Sequence, residues 1–237
     1  MKALILAGGF GTRLSSVIGS CPKPMAEIDG KPYLHYLLSY LKNFGVTEVI
    51  FSVFFMPEVI KDYFGKEFKD IKITYVKEPE PLGTGGAIYN AINILSLEEN
   101  ILVLNGDNFL HINYADFFQY HRILDENFSI ALTMVEDTSQ YGSVEINKKT
   151  KRITEFNEKG ITGKGLINTG SYLINAKFFA ALNVPIIFSL EKDFLFPNVD
   201  KFKINYLINK EYFIDIGTPK DYQRAQSEIP KLVNSKL

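Results

Sequence analysis

The chain predicts an α/β fold built on a largely parallel sheet, and three features carry that expectation. Strand-like apolar runs alternate with helical patterns along most of its length. The first such run, residues 2–6 (KALIL), leads into a glycine-rich turn. A later run, Ile101-Leu102-Val103-Leu104, is apolar at every position, as a strand covered on both faces must be.

The elements follow in order. Residues 2–6 form a buried first strand. Pro32 to Phe44 reads as a helix: Pro32 suits its first turn, Leu34, Leu37, Leu38 and Leu41 share a face, and Gly45 supplies the stop. Glu48 to Phe55 is a second strand, Pro57 to Phe64 a short helix and Ile71 to Val76 a third strand. A helix through Ala87 to Leu95 then leads to the apolar central strand. After about residue 140 the pattern loosens. Ser143–Ile146 and Arg152–Phe156, with a lysine-rich turn between them, read as a hairpin added to the main sheet. Strand-like segments recur at Tyr172–Asn175, Lys203–Leu207 and Tyr212–Ile216, and Pro219 to Glu228 is a closing helix.

The 237 residues suit one domain with a full core. Its expected halves run over about 1–135 and about 136–237. Hydrophobic content of 46% with 22% charged residues is ordinary for a globular protein. A formal net charge of −1 gives no general electrostatic case for nucleic acid or a membrane surface. A phosphate site must therefore be local. The lone Cys21 cannot form an intrachain disulfide and has no histidine near it in sequence, so it reads as loop filler. The apolar run Ala3 to Ala7 is too short for a signal peptide or a membrane span, and a cytoplasmic setting is expected. Ser235-Lys236-Leu237 matches a peroxisomal address, which a three-residue match makes weak.

The opening loop runs Leu6-Ala7-Gly8-Gly9-Phe10-Gly11-Thr12-Arg13-Leu14 and is followed by Pro22-Lys23-Pro24-Met25. The dinucleotide fingerprint would need a third glycine at Leu14, and the P-loop would need Gly-Lys-Ser/Thr; neither is present. What remains is a strand feeding a glycine loop with fixed cations. Backbone N–H groups can approach phosphate oxygens there, with Arg13 adding a planar charge and Lys23 a second one on a stiff segment. A tight turn with solvated charges is the plainer alternative. A second loop, Glu78 to Ala87, holds Gly83, Thr84, Gly85 and Gly86 and opens a helix. It could admit a flat base or sugar, and the helix start could favour an anion; a helix cap is the alternative.

Asp107, in Asn105-Gly106-Asp107, and Asp215, in Phe213-Ile214-Asp215-Ile216-Gly217, both stand at predicted strand ends. Ligands of open α/β sheets collect at such ends. Singly either could cap a helix. Together they offer two hard oxygen ligands for Mg2+, which completes its octahedron with water and substrate phosphates. Between them, Lys159 could hold an acceptor phosphate while Glu158 and Asn168, in Asn168-Thr169-Gly170, bond sugar hydroxyls; a solvated turn is the other reading. Gly142 would let a substrate approach the backbone, or serves only its turn. His35, His111 and His121 are scattered and form no spaced metal motif.

These residues resemble the sugar-1-phosphate nucleotidyltransferases, from Met1 to about Tyr222. The resemblance implies a Rossmann-like, mostly parallel mixed sheet flanked by helices, with a small sugar-binding lobe. It implies that Leu6, Ala7, Gly8, Gly9, Gly11, Thr12, Arg13, Lys23, Glu78, Gly83 and Thr84 bind the nucleotide. Arg13, Lys23, Asp107 and Asp215 would form the catalytic set, with the two aspartates on the metal. Gly142, Glu158, Lys159, Asn168 and Thr169 would lie at the sugar phosphate. The hexose uridylyl- and thymidylyltransferases usually carry proline where this chain has Ser16 and Gly160. Arg13-Leu14-Ser15-Ser16-Val17 and the ending Phe213 to Tyr222 look more like the D-glycero-D-manno-heptose 1-phosphate guanylyltransferases of bacterial surface-polysaccharide pathways. That similarity implies GTP and D-glycero-α-D-manno-heptose 1-phosphate as substrates. A mannose 1-phosphate guanylyltransferase or a hexose 1-phosphate thymidylyl- or uridylyltransferase is the alternative within the family, and a nucleotide-binding regulator the alternative outside it. Oligomeric state stays open, a homo-oligomer included.

Overall fold

The computed structural model describes residues 1–10, 14–19, 21–157, 159–160 and 162–234. The chain opens with strand β1 (Lys2–Leu6), then α1 (Ser15–Ile18), a 3-10 turn over Lys23–Met25, and the small pair β2 (Glu27–Ile28) and β3 (Lys31–Pro32). Next come α2 (Tyr33–Lys42), β4 (Glu48–Val53), α3 (Pro57–Phe64), β5 (Glu67–Phe68), β6 (Ile71–Lys77) and α4 (Gly83–Ile94). The middle of the chain supplies β7 (Asn100–Asn105), β8 (Asn108–Leu110), α5 (Tyr114–Leu124), β9 (Phe128–Val135), β10 (Val144–Asn147), β11 (Arg152–Phe156) and β12 (Gly165–Asn175). It closes with α6 (Ala176–Ala180), a π-helical turn over Leu190–Leu195, β13 (Ile204–Asn209), β14 (Phe213–Asp215) and α7 (Pro219–Asn234).

Among the described residues a 10-stranded sheet has the order β10-β11-β13-β9-β12-β7-β1-β4-β6-β5. The strands β1, β4, β6, β7, β9, β10 and β13 run one way, and β5, β11 and β12 run against them. The sheet is therefore mixed but mostly parallel, as expected. The carboxyl ends of its central strands meet along one edge. The 144–156 hairpin adds to the far side of the sheet, also as expected.

Strand alternation divides the core in two. Ala3 and Ile5 of β1, with Val49 and Phe51 of β4, face the layer of α2, α5 and α7, where Leu34, Leu37, Leu38 and Leu41 are buried together. Leu4 and Ile50 face the other layer, built from Ile88, Ala91 and Ile92 of α4, Phe179 of α6 and Phe194. Helices thus cover both faces, which is why the central strands tolerate no polar alternation.

Several elements differ from the sequence expectation. Pro32 stands one residue before α2 because it pairs with Glu27 in the β2–β3 ladder. The helix expected from Ala87 starts at Gly83, so its glycines are helical. Several elements, α5 and β9 the longest of them, lie where the sequence reading places none. In α5, Tyr114, Phe117 and His121 form the buried stripe, and the Asn113 side chain accepts from the N–H of Ala115 and Asp116. In β9, burial on both faces erases the period-two signal.

Candidate active site

Lys23 sits in a short turn between two prolines. Met25 N–H donates to Pro22 O at 2.7 Å and Ala26 N–H to Lys23 O at 3.0 Å, which fixes where the lysine stem leaves the backbone. The side chain reaches inward, leaving the residue 6% exposed. Its Nζ donates to Asp107 Oδ2 at 2.6 Å and to Asp215 Oδ1 at 3.1 Å.

The ladder between β8 and β14 brings the two aspartates together. Asp215 pairs with Asn108, and Ile216 N–H donates to Asp107 O at 3.0 Å. Gly106 fixes the other side, donating to Leu6 O at 3.0 Å, so the ends of β1 and β7 are tied. A Cβ at Gly106 would stand 2.6 Å from Leu6 O, and one at Gly217 would stand 2.7 Å from Lys23 Nζ. Both positions need glycine for the cluster to close.

The cluster borders a cavity of about 390 Å3 that Leu6, Gly8, Gly9, Thr84, Asn105 and Asp107 help to line. That volume suits a small-molecule ligand. Asp107 and Asp215 both reach a single cation, and their hard oxygens fit Mg2+. Among the described residues no group of three or more His, Cys, Asp or Glu could hold a metal ion. Water and substrate oxygens would have to complete its shell.

On the nucleotide side, Ala7 is buried and donates to Ser52 O at 2.8 Å. Glu78 lines the cavity but is largely occupied with the fold. Its Oε1 accepts from Ser52 Oγ at 2.9 Å and its Oε2 from Leu82 N–H at 3.2 Å. A Cβ at Gly8 would meet Glu78 Oε1 at 2.7 Å, so the glycine loop passes close over this carboxylate. Gly11, Thr12, Arg13 and Glu158 lie outside the described residues.

The second glycine segment packs against its own chain. Gly85 and Gly86 donate to Phe188 O at 3.0 and 3.2 Å. A Cβ at Gly83 or Gly86 would stand 2.6 Å from Phe188 O or 2.3 Å from Ile186 O. These glycines make room for the 186–188 backbone, and the helix start spends those amides on a carbonyl of its own chain rather than on an anion. Gly83 and Thr84 still line the cavity.

On the acceptor side, β12 carries three residues between Asn168 and Tyr172 where β9 carries one, and Gly170 has φ +72. The bulge stands beside Asn105, since a Cβ at Gly170 would lie 2.4 Å from Asn105 Nδ2. Asn168 Oδ1 accepts from Gly170 N–H at 2.9 Å. Thr169 is buried with its hydroxyl donating to Ala131 O at 2.8 Å, so that hydroxyl is committed to the sheet. Gly142 has φ +77 and donates to Thr138 O at 2.9 Å, closing a turn. Lys159 is exposed in a turn that Gly160 ties to Ser139 O. Neither Gly142 nor Lys159 lines the cavity.

The sequence reading passed over four residues here. Asn105 lines the cavity, and its Oδ1 is buried without a hydrogen-bond partner among the described residues. Phe10 is 49% exposed at the cavity edge and packs against Phe54 and Phe55, with ring centroids 5.8 and 5.4 Å away. Tyr172 and Glu191 are hydrogen-bonded to each other at 2.6 Å. Asn105 had a signal, standing just before Gly106-Asp107, whereas Glu191 lies in an aperiodic π-turn that offered none. The histidines stay clear of the site, as expected. Burial pushes His35 and His121 down to about 4 and lowers His111. Burial also raises the Cys21 thiol, which fits filler rather than a nucleophile.

Fold and site together define an α/β protein that receives its ligand at the carboxyl ends of parallel strands. The family model described as Nucleotidyl transferase matches residues 2–231, and the chain belongs to that family. It is 41% identical over 229 residues to the D-glycero-alpha-D-manno-heptose 1-phosphate guanylyltransferase of Aneurinibacillus thermoaerophilus, covering 97% of this chain and 98% of the relative. It is 43% identical over 222 residues to the enzyme of the same name from Campylobacter jejuni, covering 94% and 97%. A crystal structure of HddC from Yersinia pseudotuberculosis complexed with GMP-PN superposes with a TM-score of 0.83 at 38% identity, covering 96% of this chain and 98% of that one. The resemblance read from the motifs is borne out, including its lean toward the heptose guanylyltransferases. Among the described residues no helix is long and apolar enough to cross a membrane.

Proposed function

We propose that this chain transfers a guanylyl group from GTP to D-glycero-α-D-manno-heptose 1-phosphate, giving the GDP-sugar and pyrophosphate. The observation that carries the reading is the Lys23–Asp107–Asp215 cluster at the cavity wall. The near-full-length similarity to two heptose guanylyltransferases supplies the base and the sugar.

A phosphate oxygen of the sugar 1-phosphate forms a bond to the α-phosphorus. The bond from that phosphorus to its β-bridging oxygen breaks, and pyrophosphate leaves with the electron pair. The attacking oxygen is already anionic, so the step needs no strong general base, and no histidine lines the cavity. The chain's work is to bring two anions together and align them. The loop of Gly8 and Gly9, with Gly11, Thr12 and Arg13, holds the triphosphate, and Arg13 shields the departing pyrophosphate. Lys23 and Lys159 offset repulsion between the substrates, while Glu158, Asn168 and Thr169 stand at the sugar. Mg2+ held by Asp107 and Asp215 would supply charge neutralisation at the α-phosphate. Residues up to about 135 serve as the nucleotide half and the rest as the acceptor half. The reaction belongs in the cytoplasm, where nucleoside triphosphates are kept.

The test is pyrophosphate release with Mg2+, crossing GTP, UTP, dTTP, CTP and ATP against heptose, mannose, glucose and N-acetylglucosamine 1-phosphates. Turnover confined to GTP with the heptose phosphate is expected. Turnover of another pair would discard the substrate assignment, and silence throughout would discard the reaction.

A further inference from the structure

Glu191 accepts three hydroxyl hydrogen bonds. Thr84 Oγ1 and Ser189 Oγ donate to its Oε2 at 2.8 and 2.9 Å, and Tyr172 OH donates to its Oε1 at 2.6 Å. The chain continues on both sides. Leu190 N–H donates to Thr84 Oγ1 at 2.8 Å, and Asn168 Nδ2 donates to Tyr172 OH at 2.9 Å. Asn168 Oδ1 in turn accepts from Gly170 N–H at 2.9 Å. Tyr172 is buried, and its hydroxyl is pushed well up by that burial and by the neighbouring carboxylate, so it stays a donor.

Counting donors and acceptors shows what the carboxylate imposes. A carboxylate only accepts, so every hydroxyl touching it must turn its single proton inward. Thr84 then has no proton left for the cavity it lines, and with one lone pair taken by Leu190 it offers the other as an acceptor. Tyr172, having donated to Glu191, must accept from Asn168. The Asn168 amide is thereby fixed with its NH2 toward Tyr172 and its oxygen toward Gly170, which leaves one N–H as a donor. Thr84 belongs to α4 on the nucleotide side, and Asn168 to the β12 bulge on the acceptor side.

We propose that Glu191 is a positioning residue of the reaction, a single carboxylate that sets the hydrogen-bond polarity of Thr84 toward the nucleotide and of Asn168 toward the acceptor sugar. The proposal rests on the reaction assigned above. It gives a reason for a part-buried polar network between the two walls, where apolar packing would have held the segments together equally well.

Two variants separate the branches. Tyr172→Phe cuts only the acceptor branch, and the expected result is a KM for the sugar 1-phosphate raised about tenfold with the KM for GTP within about twofold of the parent. Glu191→Gln places an NH2 where hydroxyl protons point, and is expected to raise both KM values while kcat falls less than either kcat/KM. Thermal unfolding of each variant reports the purely structural contribution. If Glu191→Gln does not fold, Tyr172→Phe alone decides. Both KM values unchanged in Tyr172→Phe, or a rise for GTP alone, would overturn the proposal whatever the unfolding temperature shows. Failure of the parent enzyme to turn over any substrate pair would instead remove the reaction itself, and this role with it.

Discussion

Lys23 is the residue on which the site's charge balance turns. Its ammonium lies between two carboxylates that the sequence holds 84 and 192 residues away. The side chains of Asp107 and Asp215 are 33% and 18% exposed, so water screens them only in part. Lys23→Met would leave two carboxylates facing each other with their shared cation gone. The expected loss is about 2 kcal/mol in urea unfolding, below the range for fully buried pairs. Mg2+ should raise the unfolding temperature of this variant more than that of the parent, because only the variant has lost its own cation. Equal shifts in the two proteins would argue against a shared place for the lysine and the metal.

At the scale of elements, α4 packs its glycines against the 186–188 segment of the same chain. Gly86 is the tightest point against backbone: a Cβ there would stand 2.3 Å from Ile186 O. Gly86→Ala should therefore destabilise the protein by about 1–3 kcal/mol, as overpacking does, measured by urea unfolding. An unchanged midpoint would mean that the segment yields easily. The same contact is a use of these glycines that local sequence does not reveal. A glycine records only that something comes close, and here the visitor is Phe188 of the same chain. Elements defined by one strong local pattern, such as β1, α2 and α3, were legible. The strand β9 was not, because its partners on both faces remove alternation, and neither was the Glu191 turn, whose role depends on residues far from it in sequence. In the site, Asp107, Asp215 and Lys23 were legible as chemistry from their strand-end and loop positions. Their mutual contact was not, since no spacing encodes the β8–β14 ladder.

At the scale of the whole molecule, a buried histidine contributes to acid sensitivity. His121 is fully buried beside Ser129, its Nδ1 2.8 Å from Ser129 Oγ, and burial pushes it down from 6.5 to about 4. The unfolded chain thus takes up a proton first as pH falls. Stability from this group is complete above about pH 6.5 and is lost as pH drops toward 4, by about 1.4 kcal/mol per pH unit between those values. His121→Gln should lessen the slope of that stretch of the stability profile in urea unfolding. A slope identical to the parent's would place the acid sensitivity elsewhere.

The position of β12 has a consequence for the protein's birth. It fills the gap between β9 and β7, yet it starts at Gly165, long after β7 ends at Asn105 and β9 ends at Val135. While synthesis proceeds, two central strands wait with open edges that another chain could pair with. A ribosome paused before Gly165 would hold an adhesive half-sheet, so the interval before β12 emerges is when this chain most needs a chaperone's cover.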